Sequence, residues 1–284
     1  MAVEKAPTFG DKSWAQGFLA TAWCGAGELQ RGLELLTKVV AIQKKGRFRM
    51  AEVGFLNQLG YGYFRIGQRE KAIQILKESL ALTTQSGMKH YSGLANFFLS
   101  LVHLETDSTQ AAKHLEQSID AYQKSKSDPS FVEFLRSILK LTKGNLKQGV
   151  KIAENLTEVF LKNESVMNYV EAEYMLGNIY LQIVIREGPT TLSFLAKNIA
   201  FLIKNFPNAS EKAEYHLKNV IRTTKEIGSN LKLGQAYLDL GNLYRVKKKN
   251  QQARECISDA IQIFKQCKAE EYLNKATKVL SSLN

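Results

Sequence analysis

The sequence is poor in residues that interrupt helices and in residues that build covalent or metal-held frameworks. Its 284 residues include only four prolines and three cysteines. No Gly/Ser-rich or Pro-rich tract marks a linker or a disordered segment. The cysteines are odd in number and form no CxxC pair, which argues against both a disulfide framework and a zinc site: Cys24, Cys256 and Cys267. With 44% apolar residues, the chain can still bury a substantial core.

Secretory and membrane-spanning segments are also missing. The first ten residues carry Glu4, Lys5 and Pro7 and lack the apolar core of a signal peptide. The longest apolar region, 192–206, is interrupted by Lys197 and Lys204, so the sequence has no run of about 18 uncharged apolar residues. These absences predict a cytoplasmic protein without a membrane partner.

Sequence signatures of catalysis are absent as well. The chain has no GxxxxGK[ST] phosphate loop, no GxGxxG after a strand and no HExxH motif. No Cys or Ser lies in a recognisable nucleophile signature. None of the four histidines has the i, i+4 partner of a helical metal site: His90, His103, His114 and His216. We therefore predict a non-enzymatic protein with no catalytic residue, no metal site and no cofactor.

Positive charge is the strongest bias in the composition. The 39 Lys and Arg residues against 27 Asp and Glu give a formal charge of +12, so anionic partners have to be considered. The densest basic runs, 44–47 and 247–249, are short and fall where turns are expected, which favours solvated loop charge. Nucleic acid is therefore a disfavoured partner. It would require Lys and Arg to cluster on one face and the affinity to fall steeply with salt.

An internal repeat decides the fold class. The pattern Leu-Gly-x-x-Tyr starts at Leu59, at Leu176 and at Leu240. In the first and last copies an alanine follows the glycine by twelve residues, at Ala72 and Ala253. Leu, Gly and Tyr at i, i+1 and i+4 share one side of a helix. The glycine then lets a second helix approach closely, and the alanine is the small residue that meets it. One such pair cannot bury its apolar faces alone, whereas stacked pairs can.

This pattern resembles the tetratricopeptide repeat, which implies an all-α solenoid with a right-handed superhelix. Markers of the second helix at 32, 72, 111, 149, 213 and 253 lie about 40 residues apart, apart from one step of 64. We expect an N-terminal extension at 1–12, six helix pairs and a capping helix at 269–284. The repeats are predicted at about 13–46, 53–87, 92–126, 131–165, 170–228 and 234–268, which together form a solenoid over 13–268.

The long step of 64 indicates an insertion at about 184–207 in the fifth repeat. Gly188-Pro189 should end the first helix, and an amphipathic helix is predicted from Thr191 until Pro207 stops it. Its apolar residues are spaced by three and four: Leu192, Leu195, Ile199, Leu202 and Phe206. This helix either adds to the core or forms a lid, a groove filler or a docking surface, since insertions in repeat proteins often lie on the binding face.

The same resemblance implies a partner groove lined by the first helix of each pair. The positions carried over to the clear repeats are Asn57, Tyr61 and Arg65, then Glu171, Tyr174 and Asn178, then Gln235, Leu238, Asn242 and Arg245. Aromatic residues at non-core positions of first helices are further groove candidates: Tyr61, Phe64, Phe97 and Tyr174. Leu238 and Asp239 stand where the chaperone-binding subclass needs a polar or basic group, so chaperone tails are not expected.

A closer similarity covers most of the chain. The long period, the insertion with Leu-Ala-Lys-Asn-Ile-Ala-Phe-Leu-Ile-Lys-Asn at 195–205 and the segment 252–264 are similar to the C-terminal repeats of large bacterial signalling proteins. In those proteins an adenylate/guanylate cyclase or kinase domain and a signal-transduction ATPase domain precede the repeats. This chain carries neither. The similarity implies a non-catalytic interaction scaffold that binds a polypeptide in the concave groove. The alternatives are a detached regulatory portion of a cyclase/ATPase protein and, less favoured, a basic nucleic-acid-binding solenoid.

Overall fold

The computed structural model describes residues 9–104, 106–185 and 191–283, which form fourteen α-helices and one 3₁₀ turn, with no strand in these ranges. The helices are α1 (Phe9–Ala26), α2 (Leu29–Lys45), α3 (Arg49–Arg65), α4 (Arg69–Ser86), α5 (Lys89–His103), α6 (Ser108–Lys124), α7 (Pro129–Thr142), α8 (Leu146–Lys162), α9 (Val166–Ile185), α10 (Leu192–Asn205), α11 (Ala209–Ile227), α12 (Asn230–Val246), α13 (Asn250–Gln266) and α14 (Glu270–Ser281). The 3₁₀ turn is Phe206–Asn208. The all-α fold class is confirmed.

Helices pack in pairs within each of two compact units, residues 1–132 and 133–284. In the first unit α1 pairs with α2, α3 with α4 and α5 with α6, and each pair packs on the next. The first helices α1, α3 and α5 also contact one another in order. In the second unit α9 pairs with α11 and α12 with α13, while α9, α12 and α14 form the corresponding row of first helices. Each unit is therefore a stack of helix pairs with first helices on one side.

The repeated glycine sets the distance between paired helices. A Cβ on Gly60 would lie 2.6 Å from Leu76 Cγ and 3.4 Å from the carbonyl oxygen of Ala72. On Gly241 it would lie 2.5 Å from Ile257 Cγ1 and 3.3 Å from the carbonyl oxygen of Ala253. The residue twelve positions later is thus in contact with the glycine in both repeats, as the spacing predicts. Such distances leave no room for a side chain unless the neighbouring helix moves.

The fourth repeat keeps the close approach of its two helices, but the glycine lies on the second helix and a serine takes its place on the first. Ser137 on α7 takes the place of the glycine, and its Oγ donates a hydrogen bond of 2.8 Å to the carbonyl of Gly149 on α8. A Cβ on Gly149 would lie 2.5 Å from Leu141 Cγ. The sequence match is weak here because the glycine has moved to the second helix, while the close approach is preserved. Gly144 lies in the turn between the helices, at a φ of 69°.

Ten of the turns between helices in the described ranges contain a residue with positive φ. Five of these residues are glycines and five are not: Gly27, Gly67, Gly87, Gly144 and Gly228, then Arg47, Lys126, Glu164, Lys248 and Lys268. The basic runs at 44–47 and 247–249 fall at two of these turns, between α2 and α3 and between α12 and α13. Most of their side chains are exposed. Their charge is therefore solvated loop charge, as the sequence predicts.

The insertion forms α10, and three of the five residues of its predicted apolar stripe are exposed, while Leu195 and Leu202 are half-buried. The predicted start is confirmed by Thr191, whose Oγ1 accepts a hydrogen bond of 3.3 Å from the backbone N–H of Phe194. The predicted break at Gly188-Pro189 lies outside the described residues. Leu192, Ile199 and Phe206 are 86%, 53% and 51% exposed. The helix packs on α8 through its other side.

The ends of the chain differ in how well they match the predicted boundaries. Helix α1 begins at Phe9, inside the predicted extension, whose residues 1–8 lie outside the described part. At the other end of the described residues α14 packs on α13 and α12. The Tyr272 ring stacks on Phe264, with ring centroids 5.3 Å apart, and Ala276 is fully buried. None of the described helices is both long enough and apolar enough to cross a membrane.

Candidate functional site

Polar side chains follow one face of α9 and one face of α12, where these two first helices lie side by side in the second unit. On each helix they recur at intervals of three and four residues, which places them on the same side. We call this set the polar seam. It consists of Glu171, Tyr174 and Asn178 on α9 and Lys232, Gln235, Asp239 and Asn242 on α12. Each of the seven is half-buried, so it is packed and yet open to solvent.

Hydrogen bonds across the two helices hold the seam in place. The Tyr174 hydroxyl donates to Asp239 Oδ2 at 2.9 Å, and Lys232 Nζ donates to Glu171 Oε2 at 3.0 Å. The Lys232 ammonium also lies 4.1 Å from the centroid of the Tyr174 ring, which is a cation–π distance. Asn178 Nδ2 donates to the carbonyl of Tyr174 at 3.1 Å. These contacts order the groups before any partner binds, which lowers the entropy lost on binding.

The electrostatics of the seam favour a protonated Tyr174 and an easily protonated Asp239. Burial raises the pKa of the Asp239 carboxyl to about 6, although hydrogen bonds from Tyr174 and Asn178 and the charge of Lys232 oppose the shift. Burial, together with the Asp239 charge, raises the pKa of the Tyr174 phenol well above its ordinary value. At neutral pH the seam therefore contains a carboxylate acceptor and a phenol donor, and the carboxylate becomes protonated in mildly acidic solution.

The structure brings together most of the groove residues predicted in the second unit and adds two. Glu171, Tyr174 and Asn178 meet α12 as described, and Gln235 and Asn242 share the seam face of that helix by their spacing. Arg245 is exposed at the end of α12. Leu238 is only 8% exposed and belongs to the core. Lys232 and Asp239 also belong to the seam and were not among the predicted residues, although the polar spacing 232, 235, 239 and 242 could have identified them.

In the first unit the predicted residues tie the first helices together. Asn57 is fully buried, and its Nδ2 donates a hydrogen bond of 3.0 Å to the carbonyl of Tyr91 on α5. It therefore serves the packing of α3 on α5 and presents no surface to a partner. The Tyr61 ring is stacked on Phe98 at 4.4 Å. Arg65 Nη1 donates to the carbonyl of Cys24, near the end of α1, at 2.9 Å. Tyr61 and Arg65 remain half-buried.

Aromatic rings continue this surface of the first unit. Phe64 and Phe97 are half-buried. Phe64 lies 6.4 Å from Tyr61, and Phe97 meets Phe131 edge to face at 5.8 Å. The inner side of α3 and α5 is thus mainly aromatic, whereas that of α9 and α12 is mainly polar and charged.

A second polar cluster in the second unit is buried and structural. The Glu173 carboxylate, 3% exposed, accepts a hydrogen bond of 3.1 Å from Asn219 and lies 3.0 Å from His216 Nδ1. The His216 ring is stacked on Tyr180, with centroids 5.8 Å apart. These contacts satisfy a carboxylate that would otherwise be costly to bury. Within the described ranges, no group of three or more His, Cys, Asp or Glu residues is arranged to hold a metal ion.

The cysteine thiols are poor nucleophiles in their surroundings. Burial raises the pKa of the Cys256 thiol to about 11 and also raises the pKa of Cys24. Since only the thiolate attacks, both groups are largely unreactive at neutral pH. Cys24 and Cys267 are moreover buried among helices.

No protein-family model matches the chain, and no curated protein matches its sequence. Solved structures do resemble it. A Rap protein complexed with competence and sporulation factor has a TM-score of 0.60 at 12% identity, and the match covers 96% of this chain and 74% of that one. The Rap conjugation gene regulator of plasmid pLS20, in complex with the Phr* peptide, has a TM-score of 0.50 at 14% identity, covering 89% of this chain and 66% of that one.

A further similar structure is a signal transduction ATPase with numerous domains from Pyrococcus horikoshii, which has a tetratricopeptide repeat sensor. Its TM-score is 0.50 at 16% identity, and the match covers 99% of this chain. The chain spans only 41% of that protein's length. At these identities the similarity concerns the fold. Together with the glycine-spaced helix pairs, it shows that this chain has the fold of tetratricopeptide-type helical-repeat proteins.

Proposed function

We propose that the chain is a non-catalytic interaction module that binds an extended polypeptide segment along the polar seam and thereby regulates a signalling partner. The observation that carries this proposal is the seam itself. Seven half-buried polar side chains follow one face of α9 and α12, and four of them are fixed by the Tyr174–Asp239 and Lys232–Glu171 pairs. A face that only had to keep the protein in solution would not need such ordered, half-buried groups.

The chemistry of the seam suits a peptide backbone. The side-chain amides of Asn178, Gln235 and Asn242 each offer donors and an acceptor, so they can pair with the N–H and C=O groups of an extended chain. Asp239 and Glu171 add carboxylates that accept from Lys, Arg or an amino terminus, and such charge-assisted bonds are stronger than neutral ones. The partner segment is therefore expected to be extended and to carry at least one basic group.

The solved structures support a peptide partner. The Rap regulator of plasmid pLS20 is in complex with the Phr* peptide, and another Rap protein is complexed with competence and sporulation factor. Both share the fold of this chain. The stacked first helices of such a fold offer a long continuous row of side chains, which is the geometry that an extended ligand requires.

A second candidate function is that of a regulatory portion acting on a nucleotide cyclase or ATPase. It is favoured by the match of 99% of this chain to a signal transduction ATPase with a tetratricopeptide repeat sensor. In this case the polypeptide bound by the seam belongs to the catalytic partner. The purified chain would then change the rate of that enzyme when added in trans.

The proposal is tested by affinity capture from bacterial lysate, followed by calorimetric titration of the captured polypeptide. The seam variant Asn178→Ala/Asn242→Ala should weaken binding about 10–100-fold, since each lost hydrogen bond contributes about 0.5–1.5 kcal/mol. The matched control is Gln252→Ala/Gln262→Ala, which removes two exposed amides from the second helix α13. Equal binding by the seam variant and the parent would refute the proposal. Capture that is abolished by nuclease or by moderate salt would instead indicate a nucleic-acid partner.

A further inference from the structure

Helix α10 presents large aliphatic side chains to solvent and packs on the protein through a face that carries Asn198 and Asn205 together with Phe194 and Phe201. Leu192 and Ile203 are 86% and 69% exposed, while Asn198 and Asn205 are 2% and 8% exposed. At 100° per residue the exposed apolar residues fall on one side of the helix. We call this set the α10 ridge, and it consists of Leu192, Ile199 and Ile203. A usual surface helix turns its large aliphatic side chains to the core, whereas these three face solvent.

Hydrogen bonds to the buried asparagines fix this orientation. Asn198 Oδ1 accepts from the backbone N–H of Leu146 at 3.0 Å, and its Nδ2 donates to the carbonyl of Gly144 at 2.8 Å. Asn205 Oδ1 accepts from Lys212 Nζ at 3.0 Å. Turning α10 so as to bury the ridge would break these bonds and leave polar groups of the α7–α8 turn without partners, which is costly. The exposure of the ridge is therefore built into the packing.

Charge near the ridge is mainly positive. In the segment 191–212 the charged residues are Lys197, Lys204, Lys212 and Glu211. The segment 133–154 includes the turn that contacts α10, and there Glu133 and Glu154 are outnumbered by five basic residues: Arg136, Lys140, Lys143, Lys147 and Lys151. A second copy of this chain packed ridge to ridge would bring lysines against lysines, which is unfavourable. The surroundings of the ridge complement an anionic surface.

Contrary to the absence of a membrane partner that the sequence predicts, we propose that the α10 ridge docks on an anionic lipid surface, with the helix lying in the plane of the interface. Its aliphatic side chains would enter the boundary between headgroups and acyl chains, while the lysines meet the anionic headgroups. Apolar residues on one side and lysines on the flank are the composition of interfacial helices. A lipid surface is favoured over an acidic protein helix because lipids deform around a protruding ridge and need no matching groove. This inference is independent of peptide binding at the seam.

The test is co-sedimentation of the full chain with lipid vesicles at low ionic strength. One set contains phosphatidylcholine with about 30% phosphatidylserine, and the other contains phosphatidylcholine alone. The parent should bind the anionic vesicles and not the neutral ones. Ile199→Asp/Ile203→Asp should weaken binding at least about tenfold, because it removes apolar area and adds repulsion. Lys147→Ala/Lys204→Ala, at two exposed sites, should weaken it about 30-fold.

The matched control replaces equally exposed apolar residues elsewhere in the second unit. Leu161 and Tyr215 are 65% and 63% exposed, and Leu161→Asp/Tyr215→Asp should bind vesicles like the parent. Circular dichroism melts establish that each variant is folded. Failure of the folded parent to bind anionic vesicles overturns the proposal, and so does equal binding by the ridge variant and the parent. Binding of an acidic amphipathic model peptide at the ridge, without binding to vesicles, would assign the ridge to a protein partner instead.

Discussion

At the scale of single residues, Gly241 and Gly177 form a matched pair because they hold the same position in two repeats. An added Cβ would lie 2.5 Å from Ile257 Cγ1 at Gly241 and 3.0 Å from Leu217 Cγ at Gly177. Gly241→Ala should therefore lower the free energy of unfolding by about 1–3 kcal/mol through overpacking. For Gly177→Ala the gain of up to about 1 kcal/mol in helix propensity should offset most of the milder contact.

Urea unfolding of the two variants and the parent, followed by circular dichroism, measures this difference. The ordering is the informative result, since both substitutions add the same methyl group to a first helix. If Gly177→Ala were the more damaging of the two, the close approach at Gly241 would not be what limits the spacing of α12 and α13.

Asp239 should make the stability of the folded chain depend on pH. Its pKa rises from 3.8 to about 6 in the folded chain, so the folded state holds a proton that the unfolded state releases between these values. The contribution of Asp239 protonation to the free energy of unfolding is fully present below about pH 4, and it is lost as the pH rises through about 6. Asp239→Asn keeps an acceptor for Tyr174 without the charge. The variant should therefore be more stable than the parent at pH 7, by a margin that shrinks toward pH 4.

The measurement is the free energy of urea unfolding at several pH values between 4 and 7.5 for the parent and Asp239→Asn. A difference that stays constant over this range would show that Asp239 does not titrate within the window. A destabilised variant at pH 7 would show that the carboxylate makes a favourable ion pair, for instance with Lys232, that outweighs its burial.

At the scale of elements, the sequence predicts the helix pairs well because their contacts are local. Gly60 and Gly241 meet residues twelve and sixteen positions away, whereas Gly177 meets Leu217 across the insertion. The fourth repeat was hard to recognise because Ser137 and Gly149 exchange the small residue between helices. A pattern that searches for glycine on the first helix misses this exchange, although the packing is equivalent.

The orientation of α10 and the composition of the seam depend on contacts that sequence spacing does not contain. The helical wheel identifies the apolar stripe of α10, but the exposure of three of its five residues follows from Asn198 bonding to residues 52 and 54 positions earlier. Similarly, the fold resemblance supplied Glu171 and Tyr174, but Asp239 joined the site only because α12 lies beside α9 in a particular register. Asn57 occupies a matching position and is nevertheless buried by Tyr91 of the next first helix.

The turns between helices offer an element-scale test. Lys248 has a φ of 58° and Gly228 a φ of 70°, a region that L-residues other than glycine adopt at a cost. A Cβ on Gly228 would meet nothing within 4 Å, so Gly228→Ala reports backbone strain alone. We expect Gly228→Ala to destabilise the chain by about 1 kcal/mol and Lys248→Gly to stabilise it by up to about 1 kcal/mol.

Thermal unfolding of both turn variants checks this expectation. The control is Lys248→Ala, which removes the same charge but keeps a Cβ at the positive φ and should gain nothing. Stabilisation by Lys248→Ala equal to that by Lys248→Gly would attribute the effect to lost charge repulsion among the three lysines instead of to backbone conformation.

At the scale of the whole molecule, stability in a stack of helix pairs is carried by contacts between neighbours along the chain. In the second unit α14 forms a cover for the pair α12–α13, since it contacts both helices. Its Tyr272 stacks on Phe264, and Phe264 is fully buried.

Truncation after Lys268 removes this cover and should destabilise mainly the helices that lie next to α14. The free energy of unfolding of the second unit should fall by about 2–4 kcal/mol, the order expected for exposing one or two large apolar side chains. Native-state hydrogen exchange should quicken most in α13 and α12 and least in α3–α6 of the first unit, because coupling passes only between neighbouring helices. Lys275→Ala, an exposed change within α14, is the control. Equal acceleration in α3–α6 and α13 would instead mean that the chain unfolds as one cooperative body, and the nearest-neighbour account of its stability would be wrong.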